Sequence, residues 1–80
     1  MTKNVYVGNL SFDTTQGKLQ ELFETHGQVS SVNMITDRET GRSRGFGFVE
    51  MADEASAQAC IEQLNGQALD GRTLRVNEAR

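Results

Sequence analysis

Three aromatic side chains offer the chain of 80 residues its most specific chemistry: Tyr6 in the run Val5-Tyr6-Val7, and Phe46 and Phe48 in the run Gly45-Phe46-Gly47-Phe48-Val49. Successive side chains in a strand leave on opposite faces. Val5 and Val7 claim the interior face of the first run, so Tyr6 points outward. Val49 and Met51 claim it in the second, with Gly45 and Gly47 on the same side, so Phe46 and Phe48 point outward as well. An uncovered face of an antiparallel sheet normally alternates to polar residues. Three rings there make an apolar patch of the kind that marks a binding surface.

Spacing points to the ligand. Residues two apart on a strand have stems about 6.6 Å apart, and a neighbouring strand lies about 4.8 Å to the side. If the two runs are neighbours, the rings are separated like successive bases of an extended single strand. Stacking needs only a flat π face, which every base has. The polar frame fits. Arg44 begins the strand that carries the two Phe rings, and Arg38 and Arg42 lie in the adjoining loop, which is locally +2 over residues 38–44. Asn4, Asn33, Ile35, Arg75 and Asn77 fall on the outward parity of their strands. An amide donates and accepts together, as reading a base edge requires. Glu50 shares the parity of Phe46 and Phe48 and argues mildly against the reading. Glu21, Glu24, Glu54 and Glu62 belong to helices, away from this face.

The elements that must position these groups follow from periodicity. Residues 4–10 read as a strand. Residues 15–26 read as a helix with Thr15 as N-cap, an apolar stripe of Leu19, Leu22, Phe23 and His26, and Gly27 as its stop. Residues 31–37 read as a strand with Val32 and Met34 inward, Asp37 to Ser43 as a polar loop, and 44–51 as a third strand. A second helix over 54–64 has Asp53 as N-cap and Ala57, Cys60, Ile61 and Leu64 as its buried stripe. Asp70-Gly71 is a hairpin-turn signal, and Arg72 to Asn77 reads as the last strand. The order is βαββαβ, a ferredoxin-like α+β fold: a four-stranded antiparallel sheet with two helices packed on one face. The other face is left open.

Composition bounds the reading. Eighteen residues are Leu, Ile, Val or Phe, just above the level of roughly 20% below which disorder is the better guess. The length suits one domain, and residues 1–80 are read as one. The net charge of −3 is not that of a typical nucleic-acid binder. The excess is confined to residues 50–80, with three Arg against six acids, while residues 1–49 balance five against five. The lone Cys60 permits no intrachain disulfide, so a reducing, cytoplasmic setting is expected. One His and one Cys cannot complete a zinc site. No signal peptide, membrane span, metal, cofactor or small-molecule substrate is indicated.

The two aromatic runs resemble the paired motifs of the RNA recognition motif family. Val5-Tyr6-Val7-Gly8-Asn9-Leu10 is similar to its hexamer, and Arg44-Gly45-Phe46-Gly47-Phe48-Val49-Glu50-Met51 to its octamer. The octamer pattern is Lys/Arg-Gly-Phe/Tyr-Gly/Ala-Phe-Val-x-Phe/Tyr. Only Met51 departs, at a position that faces the core. The likeness covers essentially the whole chain, in a form like the small single-domain bacterial members or the glycine-rich RNA-binding proteins without their tail. It implies that Tyr6 and Phe48 stack on two adjacent bases, that Phe46 packs against the sugars between them, and that Arg44 meets a phosphate. It further implies that the segment from Asn77 to Arg80 crosses the sheet edge, where main-chain groups bond to bases. The expected partner is short single-stranded RNA, with single-stranded DNA left open, bound by a monomer without catalysis.

Three rival readings are weighed against this one. Gly45-Phe46-Gly47 is not the start of a dinucleotide fingerprint, because position 50 is Glu and the run lies within a strand. Acylphosphatases share the element order and use an Arg in the loop after the first strand. Here that loop, Asn9-Leu10-Ser11-Phe12-Asp13, has none. A protein-interaction module using the same aromatic face remains the alternative.

Overall fold

Thr15 and Asp53 start the two helices by the same device. In the computed structural model, which describes residues 2–79, the Thr15 hydroxyl accepts from the Lys18 N–H at 3.2 Å. The Asp53 carboxylate accepts from the Ser56 N–H at 2.7 Å. Each satisfies a donor that a helix start leaves without a partner. That bond also holds the Asp53 carboxyl below its ordinary range. The resulting helices are α1 (Gln16–Glu24) and α2 (Glu54–Leu64). α1 is shorter than its apolar stripe suggests. The N–H groups of His26 and Gly27 both bond back to the Phe23 carbonyl, which tightens the chain and ends the helix before His26.

The strands are β1 (Lys3–Gly8), β2 (Val29–Thr36), β3 (Ser43–Met51), β4 (Ala68–Leu69), β5 (Arg72–Thr73) and β6 (Arg75–Glu78). Four form one antiparallel sheet in the order β2-β3-β1-β6. Both helices pack on one side of it, α1 against β2 and α2 against β6, β1 and β3. The ferredoxin-like α+β expectation holds. β1 stops at Gly8 and not at Leu10, because Asn9 turns the chain through φ 61°. Leu10 then drops into the core, and its N–H bonds to the Gly45 carbonyl at 2.9 Å.

The last segment departs from expectation. Arg72 to Asn77 is not one strand. β4 and β5 form their own small hairpin, turned by Asp70 and Gly71 at φ 51° and 81°, the two positive values of the preferred hairpin turn. Leu74, fully buried, separates β5 from β6, and only β6 joins the main sheet beside β1. Asp70 also ties the turn to α1. Its carboxylate contacts Lys18 Nζ and accepts from the Thr14 hydroxyl at 2.8 Å. These two bonds, the Lys18 one foremost, hold the Asp70 carboxyl below its ordinary range.

Between sheet and helices lies one apolar cluster: Val5 and Val7, Val49 and Met51, and Leu74 and Val76 from below, with Leu19, Phe23, Ala57, Cys60 and Leu64 from above. Cys60 is a core residue, as its place on the helix predicts. Its thiol donates weakly to the Phe23 carbonyl at 3.5 Å, and burial pushes its pKa up, which keeps it a thiol and unreactive. Val29 joins the cluster although the spacing of Val29 and Val32 breaks strand alternation. Between Val29 and Ser31 the register with β3 slips by one residue. Ser30 is the extra residue of a bulge, and it turns both valines to the same side.

Candidate nucleic-acid interface

Cross-strand register assembles the open face row by row. In the central row Asn33 of β2 faces Phe48 of β3, Phe48 faces Tyr6 of β1, and Tyr6 faces Asn77 of β6. To one side, Phe46 faces Gly8, and Gly8 faces Arg75. To the other, Ser31 faces Glu50 and Glu50 faces Asn4. The Ala79 N–H bonds to the Asn4 carbonyl at 3.0 Å, so the chain beyond β6 passes this last row.

The three rings form a near-equilateral triangle. Their centroids are 5.9 Å apart for Tyr6 and Phe48, 6.4 Å for Tyr6 and Phe46, and 6.4 Å for Phe46 and Phe48. The Phe rings stand nearly perpendicular to one another at 88°, an edge-to-face geometry that ring quadrupoles favour. Each ring is half-buried, and not fully exposed as parity alone suggests, because its neighbours shield it. None of the three pairs is a parallel face-to-face stack.

Two glycines set this arrangement. Gly45 adopts φ 97°, a value that side chains strongly disfavour. It lies within a second register slip, where Ile35 alone on β2 faces Arg44, Gly45 and Phe46 on β3. The slip spans two residues, so alternation survives and Phe46 still shares the face of Phe48. Gly8 is the seat of the tyrosine ring. A Cβ at Gly8 would lie 2.5 Å from Tyr6 Oη and 2.8 Å from Tyr6 Cε1. Gly8→Ala is therefore expected to fold normally while lifting the Tyr6 ring from its pose. RNA affinity should fall by roughly 3- to 10-fold, a part of the stacking energy of one base. Paired titrations and thermal melts check it, and unchanged affinity would show that the ring's pose is immaterial.

The predicted frame is only partly assembled. Asn4, Asn33, Arg75 and Asn77 are exposed and flank the ring triangle, as parity requires. Ile35 is half-buried inside the register slip and outside the core cluster. Arg44 is exposed beside Phe46, close enough to Asp37 to contribute to the low pKa of that carboxyl. The main cause of that low pKa is hydrogen bonding from the Glu39 and Thr40 N–H groups, which folds the 37–42 loop on itself. Arg38 is exposed on this loop. Arg42 is not brought to the ring triangle. It lines a separate groove with Phe12, Met34 and Ser43, and Met34 and Ser43 belong to the helix side of the sheet. Arg80 lies outside the described residues.

Some contributors went unforeseen. Ser31 shares the outward parity of Asn33, so alternation alone held that signal. The role of Gly8 depends on the pose of a neighbouring side chain and has no sequence signature. Asn9 and Arg72 meet across the fold. Arg72 donates to Asn9 Oδ1 at 2.6 Å, and Asn9 Nδ2 donates to the Thr73 carbonyl at 2.6 Å. Both groups are thereby committed to holding the β4–β5 hairpin against the end of β1.

Comparison with known proteins adds a family model, two relatives and a solved structure. A family model for the RNA recognition motif matches residues 5–75. A putative RNA-binding protein of Nostoc, RbpE, is 52% identical over 77 residues, which span 96% of this chain and 78% of that protein. A 28 kDa chloroplastic ribonucleoprotein of Nicotiana sylvestris is 51% identical over 78 residues, 98% of this chain and 28% of the relative. Among solved structures, that of the Rna15 RRM with bound RNA (GU) matches with a TM-score of 0.89 at 33% identity, covering 95% of this chain and 81% of that one. The chain spans 24–32% of the length of three chloroplast ribonucleoproteins it matches.

Proposed function

The chain belongs to the RNA recognition motif family, and from that premise we propose that residues 1–80 form one such domain, which binds short single-stranded RNA on the open sheet face without catalysis. One observation carries the reading: the triangle of Tyr6, Phe46 and Phe48 on the side of the sheet that neither helix covers. Tyr6 and Phe48 each offer a ring to a base, and Phe46 between them packs against sugar. Asn4, Asn33, Asn77 and Ile35 meet base edges. Arg44, Arg75 and Arg38 meet phosphates, and Arg80 contributes a further positive charge. The buried thiol of Cys60 fits a reducing compartment, and we assign the cytoplasm. We take the working form to be a monomer, with no cofactor or small-molecule substrate.

Magnitudes set the expected affinity. Two base stacks contribute roughly 2–6 kcal/mol, while association costs an estimated 4–15 kcal/mol. Phosphate and edge contacts supply the rest, for a dissociation constant on the order of micromolar or weaker. Tyr6 is the sole tyrosine and there is no Trp, so intrinsic fluorescence reports directly on the site. Short single-stranded RNA is expected to quench it. Three engaged arginines predict a log–log salt slope near about −2. A DNA oligomer of the same sequence measures how far the 2′-OH contributes. Absence of quenching with every RNA tested would overturn the reading, and a protein that protects the rings instead would favour the interaction-module alternative.

A further inference from the structure

Glu50 is the one feature of the open face that a general affinity for nucleic acid leaves unexplained. Its carboxylate faces the same way as Phe48 and lies directly between Ser31 and Asn4. A charge of the wrong sign on a surface that approaches phosphate opposes binding of every sequence. The two ion pairs among the described residues, Lys3–Glu78 and Lys18–Asp70, leave Glu50 without a cation to neutralise it. Glu50, Asn4, Ser31 and Asn33 instead line a shallow polar groove whose apolar wall is the Phe48 ring.

That groove has the parts of a base-reading site. Phe48 supplies the stacking face. The Glu50 row lies one pleat repeat, about 6.7 Å, further along the strand, where the edge of a base stacked on Phe48 arrives. An ionised carboxylate only accepts, through two adjacent oxygens. It therefore rewards a base edge with two adjacent donors and penalises one that presents oxygen or nitrogen lone pairs. Of the four RNA bases only guanine places two donors side by side, its N1–H and its N2 amino group. Uracil flanks its single N3–H with two carbonyls, and cytosine and adenine set a lone pair beside their amino group. Bidentate, charge-assisted pairing is among the stronger hydrogen-bonded contacts available to a carboxylate.

We propose that Glu50 makes this domain selective for guanine at the position stacked on Phe48, by pairing its carboxylate with the guanine N1–H and N2 amino group; the inference rests on the RNA-binding reading of the same face. Asn4 and Asn33 flank the pair and satisfy the remaining groups of the base. Glu50 is thus a specificity determinant, and its cost in phosphate repulsion is offset for one base alone.

The test uses the whole chain and uridine heptanucleotides that carry guanosine, inosine, adenosine, cytidine or uridine at the central position. Inosine keeps N1–H and lacks the N2 amino group. The guanosine probe is expected to bind about tenfold tighter than the inosine probe, and at least as much tighter than the other three. In Glu50→Gln the preference should collapse to within roughly twofold, while binding of the all-uridine probe is unchanged or tighter because a negative charge has gone. Equal binding of all probes by the parent chain overturns the inference. So does a guanosine preference that survives in Glu50→Gln, or a uniform tightening of every probe, which would make Glu50 a repulsive charge only. Loss of binding of all probes in Phe48→Ala, alongside equal binding by the parent, would sink the guanine selection and leave the RNA-binding reading standing. If no heptanucleotide binds the parent chain, both fall.

Discussion

Met51→Ala is expected to lower the unfolding free energy by about 2–5 kcal/mol, the usual cost of truncating a fully buried large apolar side chain to Ala. Met51 is completely buried, near the end of β3, where it pairs in register with Lys3 of β1 and Val29 of β2. Truncation removes a flexible chain from the apolar cluster between sheet and helices, and surrounding structure relaxes only partly into the cavity it leaves. A domain of this length has a total stability of only about 4–12 kcal/mol, at roughly 0.05–0.15 kcal/mol per residue. The loss is therefore a large share of the whole. Urea unfolding should show a lower midpoint at unchanged slope. The folded fraction should bind RNA as the parent does, since Met51 is three residues along β3 from Phe48 and so faces the opposite side of the sheet.

Phe48→Ala is expected to give the converse result. Loss of one base stack should weaken binding of single-stranded RNA by about 5- to 150-fold, corresponding to about 1–3 kcal/mol. Stability should fall by less than in Met51→Ala, because the ring is half-buried on the solvent side of the sheet. What it loses there is its edge contact with Tyr6 and Phe46, worth about 0.5–1.5 kcal/mol for each ring pair. The two variants together read the orientation of β3. Were Phe48→Ala to unfold the chain and Met51→Ala to abolish binding, the faces would be reversed and the site would have to be sought under the helices.

The orientation of the rings was legible because valines flank them. Val5 and Val7, and Val49 with Met51, leave the alternation only one phase, and a two-residue slip at Gly45 does not change it. The helix starts were legible in Thr15 and Asp53 for the same local reason, since a cap is a bond between residues three apart. What alternation hid was a change of partner. Arg72-Thr73-Leu74-Arg75-Val76-Asn77 keeps an unbroken inward phase at Leu74 and Val76, yet its first half pairs with β4 and its second with β1. Nothing local distinguishes those partners. The one-residue slip at Ser30 was hidden for a related reason, because Val29 and Val32 show helical spacing inside a strand. Arg42 was read as a phosphate contact from the composition of the loop that adjoins β3. The path of that loop is set by the hydrogen bonds around Asp37, and it carries Arg42 to the other side.

The interrupted pairing of β2 has a further consequence for the chain in a crowded solution. β2 is one outer edge of the sheet and β6 the other. The outer rim of a strand carries free amide and carbonyl groups that invite a second copy to add on and propagate. Here the slips at either end of β2 leave a regular run of only Ser31 to Met34, and β6 has four residues in all. Neither rim is long or straight enough to template a growing ribbon. The same local irregularity that turns Val29 inward also guards this small sheet against fibrillar self-assembly.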